Sequence, residues 1–161
     1  MTSIRGMRAQ KAGEVLENHV ETTLRAYEYF QVCSQVPKKQ KRELILNSIL
    51  PKRYAKQVFI GSGIYQTDIY VDFYVVGLPM MPSGLIIECK WQESGGSVDE
   101  KFPYLNLNIQ HSYPVPAIIV IGGEGMRDGA IEWLRERERD NSNLLAVQSL
   151  EKFIAWASRH L

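Results

Sequence analysis

The sequence has no long apolar stretch, few cysteines and histidines, and almost no net charge, and each shortage narrows what the protein can be. Its apolar runs, such as Ala117 to Ile121, fall far short of a bilayer span. The opening Met1-Thr2-Ser3-Ile4-Arg5-Gly6 lacks the apolar core of a secretory signal, so a cytoplasmic protein without a membrane partner is expected. The two cysteines, Cys33 and Cys89, lie far apart and outside any paired zinc spacing, which argues against a disulfide framework or structural zinc and suggests buried thiols. His19, His111 and His160 have no mutual spacing that would form a metal triad. Gly122-Gly123-Glu124-Gly125 lacks both the dinucleotide fingerprint and the Gly-Lys-Ser/Thr of a P-loop, and reads as a tight turn.

What is present is the balance of a globular protein: 161 residues, 45% hydrophobic and 23% charged, enough for one domain spanning residues 1–161. The net charge of +1 hides an uneven distribution. Between Lys38 and Lys56 stand Lys38, Lys39, Lys41, Arg42, Lys52, Arg53 and Lys56 against the single acid Glu43, a local +6 that leaves −5 elsewhere. Such a stretch can track a phosphate backbone, or it can be a solvated connection after the first helix.

Leu16, Val20, Leu24 and Tyr27 recur at helical spacing within a segment from about Met7 to Gln31. A shorter helix carrying Leu44, Ile45, Ile49 and Leu50 is expected to stop at Pro51. Strand-like text follows at 55–60, 67–76 and 84–92 with short links, predicting an antiparallel meander. A helix over about 99–111 requires Pro103 in its first turn. The β-branched run 117–121 reads as a strand covered on both faces, in the middle of the sheet. Residues 127–140 form a mixed-charge helix, 144–147 a strand and 150–160 a closing helix.

The most informative segment is Leu85-Ile86-Ile87-Glu88-Cys89-Lys90-Trp91-Gln92. Strand alternation places Leu85, Ile87, Cys89 and Trp91 on one face and Ile86, Glu88, Lys90 and Gln92 on the other, so an acid, a lysine and an amide project in one row where a buried strand should be apolar. The preceding strand alternates Ile69, Val71, Phe73 and Val75 against Asp72. Two carboxylates brought together repel unless a cation lies between them, and hard oxygen donors suit Mg²⁺. A neighbouring lysine equips such a site for phosphodiester hydrolysis. Asp68 shares the face of Asp72, but four strand residues separate them by roughly 13 Å, too far for one ion. The alternative for Glu88 and Lys90 is the ordinary polar edge of an antiparallel sheet.

Val71-Asp72-Phe73 and Glu88-Cys89-Lys90, with fifteen residues between Asp72 and Glu88, resemble the paired motifs of the PD-(D/E)xK nuclease superfamily, with Val71 where the family often has proline. The resemblance implies an α/β fold: a restriction-endonuclease-like core whose mixed central sheet, an antiparallel meander plus a parallel strand, is flanked by helices. It implies that Asp72, Glu88 and the backbone carbonyl of Cys89 bind Mg²⁺, with Mn²⁺ as a substitute, and that Lys90 serves the water nucleophile. Glu17, in the first helix, resembles the glutamate many members place there, a capping or surface role being the alternative; Glu14, Glu21 and Glu28 are expected to point further toward solvent. Gln92 resembles the glutamine that often follows the lysine. Lys101 resembles a phosphate-facing residue at the start of the next helix, the other reading being a plain helix-start lysine. The implied protein is a DNA endonuclease of type II restriction-like kind, a homodimer cutting duplex DNA. The alternatives are a structure-selective nuclease, such as a junction resolvase or phage repair nuclease, and a nuclease-like DNA-binding module that does not cut.

Overall fold

The helical periodicity at the start of the chain becomes α1, Ile4–Ala26, in a computed structural model that describes residues 4–161. Its apolar stripe, Leu16, Val20 and Leu24, is buried because residues four apart return to one face of a helix. The other elements are β1 (Phe30–Gln31), α2 (Lys41–Asn47), β2 (Arg53–Ser62), β3 (Asp68–Val76), β4 (Leu85–Trp91), α3 (Phe102–His111), β5 (Ala117–Gly122), α4 (Asp128–Glu136), β6 (Leu144–Ser149) and α5 (Leu150–His160). Short 3-10 turns precede α2 and α3, and Pro103 falls in the first turn of α3. Among the described residues no helix is long and apolar enough to cross a membrane.

The six strands form one mixed sheet in the order β1-β2-β3-β4-β5-β6. The strands β2, β3 and β4 make the antiparallel meander, and β5 and β6 continue it in parallel. Thus β5 runs inside the sheet, as its uninterrupted apolar text requires. The two-residue β1, pairing parallel with β2, is an addition to the elements expected from the sequence, and α1 ends several residues before Gln31.

Two cores cover the two faces. Leu16, Val20 and Leu24 of α1 and Phe153 and Trp156 of α5 pack with Phe73, Val75, Leu85, Ile87, Ile118 and Val120. Ile45 of α2, Phe102 and Ile109 of α3 and Leu134 of α4 pack with Tyr74, Val76, Ile86, Ile119 and Val147. The alternation expected along β3 does not hold throughout. Val71 joins the second of these cores and Phe73 and Val75 the first, so the period of two breaks at Asp72. The break has a partner on β2: Gln57, between the paired Lys56↔Phe73 and Val58↔Val71, has φ +54°, outside any strand conformation. On the other side, β3 pairs with β4 only from Phe73↔Ile87 to Val75↔Leu85. Beyond that rung the two strands part, with Asp72 and Glu88 at the mouth of the gap.

Candidate active site

β4 is held in the sheet by β5 from Ile86 to Trp91, which fixes where its side chains point after β3 has left it. Glu88 is 3% exposed. The hydroxyl of Tyr113, in the link after α3, donates to its Oε1 at 2.6 Å, and Lys90 Nζ lies 3.7 Å from its Oε2. Burial pushes the Glu88 carboxyl up to about 8, with the Asp72 charge adding to the shift and Lys90 opposing it. Lys90 keeps 32% of its side chain exposed. Burial works against its ammonium, but Glu88 and Asp72 together outweigh it and the pKa is raised. Lys90 therefore stands as a cation among the carboxyls, suited to orienting a water and stabilising negative charge.

Asp72 uses the gap between the strands. Its Oδ2 accepts the Cys89 amide N–H at 2.8 Å, replacing a rung of the broken ladder, and its Oδ1 accepts Gln57 Nε2 at 3.2 Å. The strained backbone of Gln57 thus carries a side chain that holds the acid. Asp72 stands close enough to Glu88, and to Glu17 from the α1 layer, for its charge to act on both carboxyls. The Glu17 carboxyl is raised, first by burial and then by the Asp72 charge. Because the strands part here, Asp72 acts both on an acid from the helix on one face and on an acid from the row on the other.

Three carboxyl groups stand here with Lys90, and Lys56 also acts on Glu17. Among the described residues no three His, Cys, Asp or Glu side chains form a ready-made metal cage. Paired carboxylates with a carbonyl and waters are nonetheless the kind of donors Mg²⁺ takes, and a divalent ion would oppose the burial and the Asp72 charge that raise Glu88 and Glu17. The residues fit the metal.

The other residues singled out in the sequence are divided by the structure. Gln92 is a brace: its Nε2 donates to Gly125 O at 2.8 Å and its Oε1 accepts Asp99 N–H at 3.0 Å, so the amide ties the end of β4 to two loops and does not face Glu88. Lys101 is exposed and lines a pocket that also contains Glu88 and Lys90. The basic run does not act as one surface. Lys41 is buried, donating to Lys56 O at 2.6 Å, and burial lowers its pKa. Lys52 donates to Tyr27 O at 3.1 Å. Arg53 caps the end of α2 through Ile45, Leu46 and Leu50 carbonyls. Arg42 lies close enough to Tyr74 for its charge to act on that hydroxyl. Lys38 and Lys39 remain exposed, over the rings of Tyr70 and Phe59, Lys39 also pairing with Asp68 at 2.9 Å. Glu21 is not turned to solvent as expected but pairs with Arg25 and Lys56, and the two cysteines are only half-buried.

These placements separate two kinds of basic residue. Arg53→Ala is expected to cost about 1–2 kcal/mol of stability, because two carbonyls at the end of α2 and the Leu50 carbonyl beyond it lose a charged donor, while nucleic-acid affinity of the folded fraction stays unchanged. Lys101→Ala is expected to leave the melting temperature unchanged and lower both affinity and the salt dependence of binding by about one phosphate contact. Melting curves and binding isotherms at several salt concentrations check both; a reversed pattern would refute the division.

Two features had no sequence signal strong enough to find. Tyr113 reaches Glu88 from 25 positions away, inside a Ser-Tyr-Pro link with no motif. Asp99, 3% exposed, holds Arg127 through both its backbone N–H and its guanidinium at 2.8 Å, fixing the turn that carries Lys101.

A mixed sheet that opens over two acids and a lysine defines the architecture of a nuclease. A family model described as a PD-(D/E)XK nuclease superfamily domain matches residues 8–161, and the chain belongs to that superfamily. Its members bind nucleic acid and in general use divalent metals. No curated protein and no solved structure matches the chain.

Proposed function

We propose that the protein is a Mg²⁺-dependent endonuclease that hydrolyses phosphodiester bonds in DNA. The observation that carries this reading is the meeting of Asp72 and Glu88, with Lys90 beside them, at the point where β3 and β4 part. Asp72, Glu88 and the Cys89 carbonyl would hold the ion, with Mn²⁺ as a substitute. The ion would supply Lewis-acid stabilisation of charge on the phosphate oxygens. Lys90 donates to the attacking water and holds it in line, and Glu17, across Asp72, orients that water's other proton. Water oxygen bonds to phosphorus as the bond to the 3′ oxygen breaks; the attacking water gives up one proton to solvent and the leaving 3′ oxygen takes one from solvent, leaving a 5′-phosphate and a 3′-hydroxyl. Gln92 acts at one remove, by fixing the loops around the strand end. Lys101, Lys38 and Lys39 would contact the DNA backbone.

The first reading of the substrate is duplex DNA cut by a type II restriction-like homodimer, since cutting two antiparallel strands calls for two related sites. A second reading, a structure-selective nuclease, is favoured by the aromatic pocket adjoining Glu88. Supercoiled plasmid incubated with the protein is expected to become nicked or linear with Mg²⁺ and to stay intact with chelator or with Lys90→Ala. If neither Mg²⁺ nor Mn²⁺ supports cleavage of plasmid, branched or single-stranded DNA while binding persists, the protein is a DNA-binding module.

A further inference from the structure

Beside Glu88 and Lys90 lies a pocket of about 360 Å³ whose wall is largely aromatic and apolar, from Tyr70, Phe102, Tyr104, Leu105 and Tyr113. Lys90, Lys101, Asp68 and Asn108 complete its lining, so charged donors for a phosphate and rings for what is attached to it share one pocket. What is covalently joined to that phosphate through one sugar is a base, flat and apolar on both faces. The mouth of the pocket extends the same chemistry. Tyr104 stacks on Tyr65 at 4.9 Å between ring centres, and Tyr65 is 71% exposed. Tyr70, 38% exposed, packs against Phe59, and Lys38 and Lys39 stand over these two rings. Open rings interleaved with lysines are the composition of a platform on which bases stack while the backbone is held by charge.

We propose that this pocket holds an unpaired base adjacent to the scissile phosphate, so that the strand cut here is single-stranded or locally unpaired DNA. In a paired helix both faces of each base are covered by its neighbours, and a base in this pocket has left that stack. Recognition is by stacking and not by sequence. The buried Asn108 in the pocket is engaged through its Oδ1, which accepts Ile64 N–H at 2.9 Å. The proposal rests on the nuclease reading for the position of the phosphate, and its test separates the two.

The probe is a 20-nucleotide DNA strand carrying a central 2-aminopurine, used alone, in a matched duplex, and in a duplex with a central unpaired loop. In the Glu88→Gln background, which leaves DNA uncut, the single strand and the loop are expected to bind at least about 10-fold more tightly than the matched duplex, with quenching of the fluorescent base. Tyr104→Ala should weaken that binding about 5- to 150-fold and remove the quenching, while Tyr104→Phe retains both. Tyr70→Ala is a second variant of the same wall, and the melting temperature of each is measured alongside. Equal affinity for matched duplex without quenching, or full affinity in folded Tyr104→Ala, overturns the proposal. If matched duplex is cut with Mg²⁺ regardless of Tyr104, the pocket assignment alone fails. If the quenched complex forms but neither Mg²⁺ nor Mn²⁺ supports cutting, the pocket stands and the nuclease reading fails.

Discussion

Glu88→Gln is expected to lower cleavage by about 10³-fold or more and, at the same time, to raise the melting temperature of the metal-free protein by about 5 °C near pH 8. The loss follows from removing one of two carboxylates at the strand gap, and calorimetry should show Mg²⁺ binding lost with it. The gain follows from the same burial that suits the acid to its work. Glu88 is held near 8 in the folded chain against an ordinary value of 4.5. A raised carboxyl binds its proton more tightly when folded, so its stabilising contribution is complete below 4.5 and declines as pH rises through about 8. Glutamine keeps the shape and the neutral state at every pH. The variant should therefore match wild type near about pH 4 and exceed it increasingly toward about pH 8, less a share lost because Lys90 gives up one counter-charge. A melting temperature below wild type across that range would show that the carboxylate is compensated without metal.

How much of this could be read from the residues depended on whether the signal was local. Glu88 and Lys90 interrupt a buried strand with charge, and Asp72 does the same one strand earlier; alternation alone shows that something overrides preference there. The way Asp72 reaches its partners was not legible. It depends on the left-handed backbone of Gln57, and glutamine gives no hint of a positive φ. The basic run was misleading for a related reason. Lys41, Lys52 and Arg53 donate to backbone carbonyls, acceptors that every residue carries and no sequence pattern marks. Sequence charge counted them as surface, and the helix end and strand edge claimed them first. Gln92 shows the same limit: its neighbours on the strand fixed its direction, but its partners, Asp99 N–H and Gly125 O, come from loops whose approach only the fold determines.

That approach depends on Gly123, and Gly123→Ala is expected to destabilise the protein by about 3 kcal/mol and lower its melting temperature by about 10 °C. Gly123 has φ +86°, and an added Cβ would overlap the Gln92 carbonyl, which already accepts the Gly125 N–H at 2.7 Å. The left-handed conformation costs alanine about 1–2 kcal/mol, and the overlap is with backbone, which cannot swing aside like a flexible side chain. Relief has to come from moving the loop, which pulls on Gln92 and through it on Asp99 and the turn bearing Lys101. Asp72 and Glu88 lie upstream, where β4 stays paired with β5, so metal affinity measured well below the melting point should be unchanged while DNA binding weakens. The two substitutions thus move stability in opposite directions and strike different functions: Glu88→Gln firms the fold and loses the metal, Gly123→Ala loosens it and keeps the metal. If Gly123→Ala melts within about 2 °C of wild type, the loop does not depend on this close approach, and the chain of contacts from Gly125 through Gln92 to Lys101 has no structural role.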